Sequence, residues 1–164
     1  DVGRFQGGGK EVHYFVNILS AGMGGLVDRY VADGSRLLGG KAAYFGASLR
    51  ALVNARLGHV ICTVTRDGKT EEHKLRTFMI AICNGRYFGG GMHVAPMATV
   101  DDGTLEVVAL GATSKLGFAL TSGGIYQGSH VARPETTLLR GQRIELRLAN
   151  ADARDRSRVP AATY

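Results

Sequence analysis

The sequence predicts a mainly β domain with helical insertions, an α+β chain built as a β-sandwich-like unit. Three observations carry that expectation. Strand-like apolar runs follow one another without the alternating helix–strand rhythm of a doubly wound sheet. Asp67-Gly68 stands between two such runs and is a strong hairpin signal. The 24 glycines among 164 residues favour turn-rich β structure over a helix bundle. A chain of this length can bury one sizeable core.

Taken in order, residues 1 to 11 contain Gly7-Gly-Gly and read as a loop or a fraying hairpin. His13 to Leu19 is rich in β-branched and aromatic residues and reads as one strand. Ser20-Ala-Gly-Met-Gly-Gly25 turns that strand into a helix from Leu26 to about Ala32. A glycine loop before a helix can hold a phosphate on free N–H groups, or can simply be a tight turn. No P-loop lysine accompanies it. Lys41 to Arg56 is the clearest helix, with Ala42, Phe45, Leu49, Leu52 and Val53 forming an apolar stripe that reads as core.

His59 to Arg66 and Lys69 to Cys83 read as the strands flanking Asp67-Gly68, with the apolar Phe78 to Cys83 portion fully buried. Thr104 to Leu110 reads as a strand with alternating faces. Ser114 is a candidate N-cap for a helix through Leu120, which Ser122-Gly-Gly124 interrupts. Glu135 to Arg140 and Gln142 to Ala149 read as a hairpin around Gly141. The tally is about seven or more strands with two or three helices, and no internal repeat.

Bulk properties exclude several function classes. No apolar run reaches the roughly 20 residues of a membrane-spanning helix. No secretory signal is visible, and Asp1 does not read as a native start. The net charge of +6 suits an anionic membrane surface or phosphate groups. Lys and Arg are scattered and not interleaved with aromatics, which argues against nucleic acid. Part of the charge falls in a tail, Arg154-Asp-Arg-Ser-Arg158. Cys62 and Cys83 lie in apolar strand-like runs and read as buried free thiols.

The stretch from Asn84 to Val108 organises the chain. A buried strand stops at Asn84-Gly85, then three consecutive glycines, Gly89 to Gly91, allow positive φ and close backbone approach. Asp101-Asp102-Gly103 follows, two adjacent carboxylates on a turn. So long a loop exceeds what a hairpin needs, and long loops in compact domains are usually functional. Capping a turn is the bland alternative for the two aspartates. Arg86 either faces a phosphate or is a surface residue, and His93 reads as an exposed loop histidine. The five histidines show no paired ligand spacing.

Asn84-Gly-Arg-Tyr-Phe-Gly-Gly-Gly-Met, with Ala95-Pro96 and Asp101-Asp102-Gly103-Thr-Leu, resembles the diacylglycerol kinase and sphingosine kinase family, most nearly its bacterial soluble branch. Asn17 to Gly25, Leu38 to Tyr44 and Gly124 to His130 fall in the family's order, so the resemblance covers roughly His13 to Gly141. It implies the β-sandwich-like C-terminal domain of an NAD kinase/diacylglycerol kinase-like fold, supplied without the N-terminal α/β domain that carries Gly-Gly-Asp-Gly-Thr and binds the nucleotide. Kinship with NAD kinases themselves is the weaker form of the likeness.

The resemblance further implies an ATP- and Mg²⁺-dependent lipid kinase acting on a hydroxyl of diacylglycerol or a related lipid. Asp102, with the carbonyls of Thr99 and Thr104, would hold the metal, a set of hard oxygens of the kind Mg²⁺ prefers. Asp101 would belong to the catalytic network, and Asn84, Gly85, Gly89 and Gly90 are the candidate substrate-binding positions. The implied partners are a lipid at the membrane surface and the chain's own nucleotide-binding domain. Apart from the resemblance, an exposed strand edge could support a homodimer, though no residue demands one. The implied location is cytoplasmic, with visits to the membrane surface. One departure stands out. The family's Asp-Gly-Glu, whose Glu accepts the lipid hydroxyl proton, has no match in Ala151 to Ala161. Either the stretch that carries it is not in this sequence or this member lacks the base, and the second case supports the alternative of a noncatalytic lipid-binding or regulatory domain.

Overall fold

The computed structural model describes residues 1–7, 11–23, 27, 29–30, 50–51, 54–112, 114–121, 123–149 and 161–163. The strands are β1 (Gly3–Gln6), β2 (Val12–Phe15), β3 (Ile18–Gly22), β4 (Gly58–Arg66), β5 (Lys69–Thr77), β6 (Met79–Cys83), β7 (Tyr87–Phe88), β8 (Met92–His93), β9 (Leu105–Leu110), β10 (Thr136–Gly141), β11 (Arg143–Leu148) and β12 (Ala161–Thr163). Between β9 and β10 lie α1 (Lys115–Thr121), α2 (Gly124–Gln127) and a 3₁₀ turn, Ser129–Ala132. All described pairings are antiparallel, in a six-stranded sheet of order β2-β1-β12-β11-β4-β5, a four-stranded sheet of order β10-β9-β6-β3 and a two-stranded β7-β8 sheet. The mainly β, sandwich-like class read from the sequence holds.

Two apolar layers explain this architecture. Cys62, Val64 and Leu75 of the larger sheet, with Ile144 and Leu146, pack against Ile80, Ile82, Leu105 and Val107 of the smaller one. The opposite face of the smaller sheet, through Met79, Ala81, Cys83, Val108 and Leu110, packs against the loop residues Val94, Ala95 and Ala98 and the helical residues Phe118 and Ile125. β9 is therefore buried at all six positions, where alternating faces were expected. A strand covered on both sides reads as a continuous apolar run.

The sequence-based boundaries err where the chain changes sheet. Lys69 to Cys83 is not one strand: it breaks at Phe78, β5 ending the larger sheet and β6 entering the smaller. Thr77 secures the break. Its buried hydroxyl is 2.7 Å from the Met79 carbonyl and 2.8 Å from that of Leu110. Glu135 to Arg140 and Gln142 to Ala149 do not form a hairpin either, since β10 pairs with β9 and β11 pairs with β4 and β12. At that crossing a Cβ on Gly141 would lie 2.7 Å from the Thr65 carbonyl oxygen, so the close backbone approach requires glycine. The single strand expected from His13 to Leu19 bends at Val16 and Asn17, which puts β2 and β3 in different sheets.

Other expectations stand. β4 and β5 turn at Asp67-Gly68, and the Ser114 Oγ accepts the Gly117 N–H at 3.0 Å, opening α1 as an N-cap does. The helices expected at 26–32 and 41–56 lie largely outside the described residues; Tyr30, Arg50 and Ala51 within them are helical, with Arg50 over the Tyr30 ring. β5 is a nine-residue edge strand bearing Lys69, Glu71, Glu72, Lys74 and Arg76, a charged rim of the kind that discourages strand addition.

Cys62 and Cys83 are free, fully buried and in different sheets. Burial pushes the Cys62 thiol up to about 11, and burial together with the Glu106 charge raises Cys83 further. Since the thiolate is the reactive form, neither should react with an aromatic disulfide reagent in the native protein at pH about 8, and both should react on denaturation. Rapid native labelling of either thiol would contradict this packing.

Candidate functional site

The glycine loop is built around Asn17, a residue in the bend between β2 and β3. Its carbonyl accepts the N–H groups of Asn84 at 2.8 Å and Gly85 at 3.1 Å, and its Nδ2 donates to the Tyr87 carbonyl at 3.0 Å. A Cβ on Gly85 would fall 2.3 Å from the Asn17 Oδ1, so glycine there answers a contact within the protein. Asn84 is 1% exposed; its Nδ2 donates to the carbonyls of Val16 at 2.8 Å and Asp1 at 3.0 Å. Its Oδ1 is buried without a hydrogen-bond partner among the described residues.

Beyond Gly85 the chain forms the β7–β8 hairpin. Gly89, Gly90 and Gly91 make its tip with φ of +29°, +62° and +93°, and space around Gly90 and Gly91 is open. Tyr87 stacks on His93 with ring centroids 4.5 Å apart. His93 is therefore not the exposed loop histidine expected: it is half-buried beneath Tyr87, and its Nε2 is buried without a partner among the described residues. Arg86 is exposed, in line with the surface alternative, and its Nε donates to the Ala98 carbonyl at 2.7 Å, closing the loop. His130, buried in the 3₁₀ turn, sets its Nε2 2.8 Å from the Val94 carbonyl and so ties the helical layer to this loop.

The Asp101–Asp102 turn lies beside this assembly, and Asp1 links the two. The carbonyl of Asp1 meets Asn84, while its carboxylate accepts the Gly103 N–H at 2.8 Å. Asp101 and Thr99 are exposed. Asp102 Oδ1 accepts the Thr104 N–H at 3.0 Å and the Thr104 hydroxyl at 2.6 Å, and Oδ2 accepts from Arg140 at 2.6 Å. Arg140 Nε also lies 2.9 Å from the Thr104 Oγ1 and 3.2 Å from Oε1 of Glu106. Although desolvation pulls the Asp102 carboxyl upward, the hydrogen bonds from Thr104 and the Arg140 guanidinium prevail and hold it below the ordinary 3.8. Glu106 moves the other way. Burial raises its carboxyl and the Asp102 charge adds to that, against the pull of Arg140 and Arg66.

A small cleft of about 80 Å³ opens on the other side of β9, between the helical layer and the start of β10. Leu110, Phe118 and Ile125 give it an apolar wall, and His130, Arg133 and Glu135 a polar one. Among the described residues, no three His, Cys, Asp or Glu side chains gather as a metal-binding cluster.

Residues 17–163 match the YegS C-terminal NAD kinase beta sandwich-like domain. The chain belongs to that family. It is 35% identical over 100 residues to the "Probable lipid kinase YegS-like" protein of Chromohalobacter salexigens, covering 58% of this chain and 29% of that one. It is 30% identical over 113 residues to the protein of the same description from Yersinia enterocolitica, covering 69% and 37%. The match thus spans about a third of these relatives. Its fold resembles the crystal structure of "a putative diacylglycerol kinase" from Bacillus anthracis, with a TM-score of 0.54 at 18% identity, covering 99% of this chain and 52% of that one. The YegS-type assignment and the diacylglycerol kinase-like fold agree with the resemblance carried by the central motif.

Within this YegS-type domain the two halves of the predicted site, 84–90 and 99–104, are neighbours bridged by Asp1. Sequence reasoning missed Asn17, Glu106 and Arg140 as members of it. A signal for the last two was available: a carboxylate within the apolar run from Leu105 to Leu110, and an arginine in a later strand.

Gly85→Ala should destabilise the fold by about 1–3 kcal/mol, a range set by overpacking at a close contact. Asn17→Ala should relieve part of that clash, so a double-mutant cycle by urea unfolding should show favourable coupling, and strict additivity would dismiss the contact. Burial is the main reason His130 is held below the ordinary 6.5, despite its hydrogen bond to Val94. The unfolded chain then binds a proton that the native chain resists. Stability should fall as pH drops below 6.5 towards the depressed native value, with a shallower slope in His130→Asn.

Proposed function

We propose that this chain is the C-terminal, lipid-side domain of an ATP- and Mg²⁺-dependent lipid kinase that phosphorylates a hydroxyl of diacylglycerol or a related lipid. The observation that carries the reading is the Asp101–Asp102 turn, bridged by Asp1 to the glycine hairpin and rigidly backed by Arg140 and Glu106. Phosphoryl transfer depends on positioning and charge neutralisation more than on covalent chemistry, and such a turn suits that task.

The donor chemistry fits the metal. Asp102, which already attracts a cationic side chain, would supply the charged oxygen, with the carbonyls of Thr99 and Thr104 as neutral ones. Bound there, Mg²⁺ would supply charge neutralisation at the cleft. Asp101, exposed beside it, is left to orient groups in the active-site network. Gly89 and Gly90, at the open hairpin tip, offer backbone to a substrate, while Asn84 and Gly85 hold the hairpin's base. ATP would be bound mainly by a separate N-terminal domain, and the work would be done at the cytoplasmic membrane surface.

The test is transfer of labelled γ-phosphate from ATP to diacylglycerol, monoacylglycerol and sphingosine by the full-length protein. We expect transfer to one lipid class and a loss on the order of 10²-fold or more in Asp102→Ala, comparable to removal of a preorganised electrostatic group. Lipid binding without transfer would instead favour a noncatalytic lipid-binding domain, the reading that the missing Asp-Gly-Glu in 151–161 supports.

A further inference from the structure

Arg140 stands directly opposite Glu106 in the β9–β10 register and reaches along β9 to the turn that precedes it. Its guanidinium touches two carboxylates in different settings. The Asp102 side chain is 23% exposed and in contact at 2.6 Å, whereas the Glu106 side chain is 8% exposed and lies at 3.2 Å. The other Asp102 oxygen is taken by the Thr104 amide and hydroxyl. Both oxygens of Asp102 are thus committed, one of them to a full positive charge. A cation at the turn would have to share Asp102 with that charge. Glu106, anchored in the sheet, retains Arg140 if its contact with Asp102 opens.

We propose that Arg140, seated on the buried carboxylate of Glu106, is a positioning residue that orients Asp102 and is the counter-charge with which a divalent cation at that turn competes. The inference rests on the turn being a cation site. Three consequences have fixed signs. Removing Arg140 strips away the competitor and tightens cation binding. Neutralising Glu106 leaves Arg140 with Asp102 as its carboxylate partner and weakens it. Neutralising both tightens it, by less than removing Arg140 alone, because the nearer charge dominates.

The experiment measures Mn²⁺ binding to the nucleotide-free full-length protein by electron paramagnetic resonance, taking as signal the component lost in Asp102→Asn. Arg140→Gln should lower the Kd about two- to fivefold, the range open to a part-exposed ion pair. Glu106→Gln should raise it, and the Arg140→Gln/Glu106→Gln double variant, which leaves no buried charge unpaired, should lower it. Unchanged or weaker Mn²⁺ binding in both Arg140→Gln proteins would overturn the counter-charge role. If Asp102→Asn leaves Mn²⁺ binding intact in every background, the metal reading of the turn fails, and the counter-charge role with it. The positioning role is then judged by hydrogen exchange of the Thr104 amide in metal-free protein. Faster exchange in Arg140→Gln and in the double variant supports it, and equal exchange overturns it.

Discussion

The four-stranded sheet is buried on both faces, and most of the structure answers to that constraint. Its inner strands β6 and β9 can carry almost no polar side chains, and all their positions are buried. Each fully buried Val, Leu or Ile contributes about 1.5–3 kcal/mol, so the two packed layers hold this sheet more firmly than any edge. A rigid central sheet also fixes what hangs from its ends. The glycine hairpin leaves from the end of β6 and the aspartate turn leads into β9, and these strands are direct neighbours paired from Met79–Leu110 to Cys83–Glu106. The two halves of the site are close because their strands are adjacent.

Glu106 is the exception inside that sheet, and it shows what the constraint demands. A carboxylate in such surroundings must be paired, since removing one partner of a buried ion pair costs roughly 3–5 kcal/mol. Here the figure is smaller, because Arg140 is 38% exposed and partly solvated. The pair is a poor stabiliser compared with an apolar replacement, yet it gives the turn something that apolar packing cannot. It sets a charged, directional group beneath Asp102, with Thr104 completing the hydrogen bonds.

Local chemistry was legible in the sequence, and long-range pairing was not. Asp67-Gly68 specifies its own turn, Ser114 its own cap, and the run from Phe78 to Cys83 its burial, each within a few residues. The crossings at Phe78 and Gly141 depend on which sheet the next strand joins, and the residues on both sides of each read simply as strand. Gly141 resembles an ordinary hairpin glycine until the Thr65 backbone is seen against it. The site divided in the same way. The motif marked Asn84 to Gly90 and Asp101 to Thr104, whereas Asn17 and Arg140 act across 67 or more and 34 or more residues, distances that no local pattern spans.

The glycines of the loop finally separate into two kinds, and this decides which part of it can meet a ligand. Gly85 is buried against Asn17, with its N–H already used. Asn84, 1% exposed, is likewise committed to the backbone of Val16 and Asp1. These residues fasten the hairpin to the bend between β2 and β3. At the tip, Gly90 and Gly91 have positive φ and nothing within 4 Å of a built Cβ, so their requirement is conformational and their backbone faces open space. Between base and tip, the Tyr87–His93 stack covers the hairpin's short strands. The tip backbone and Asp101 are therefore open to solvent while the base is closed by contacts within the protein, and the base is what keeps the tip in register with the turn.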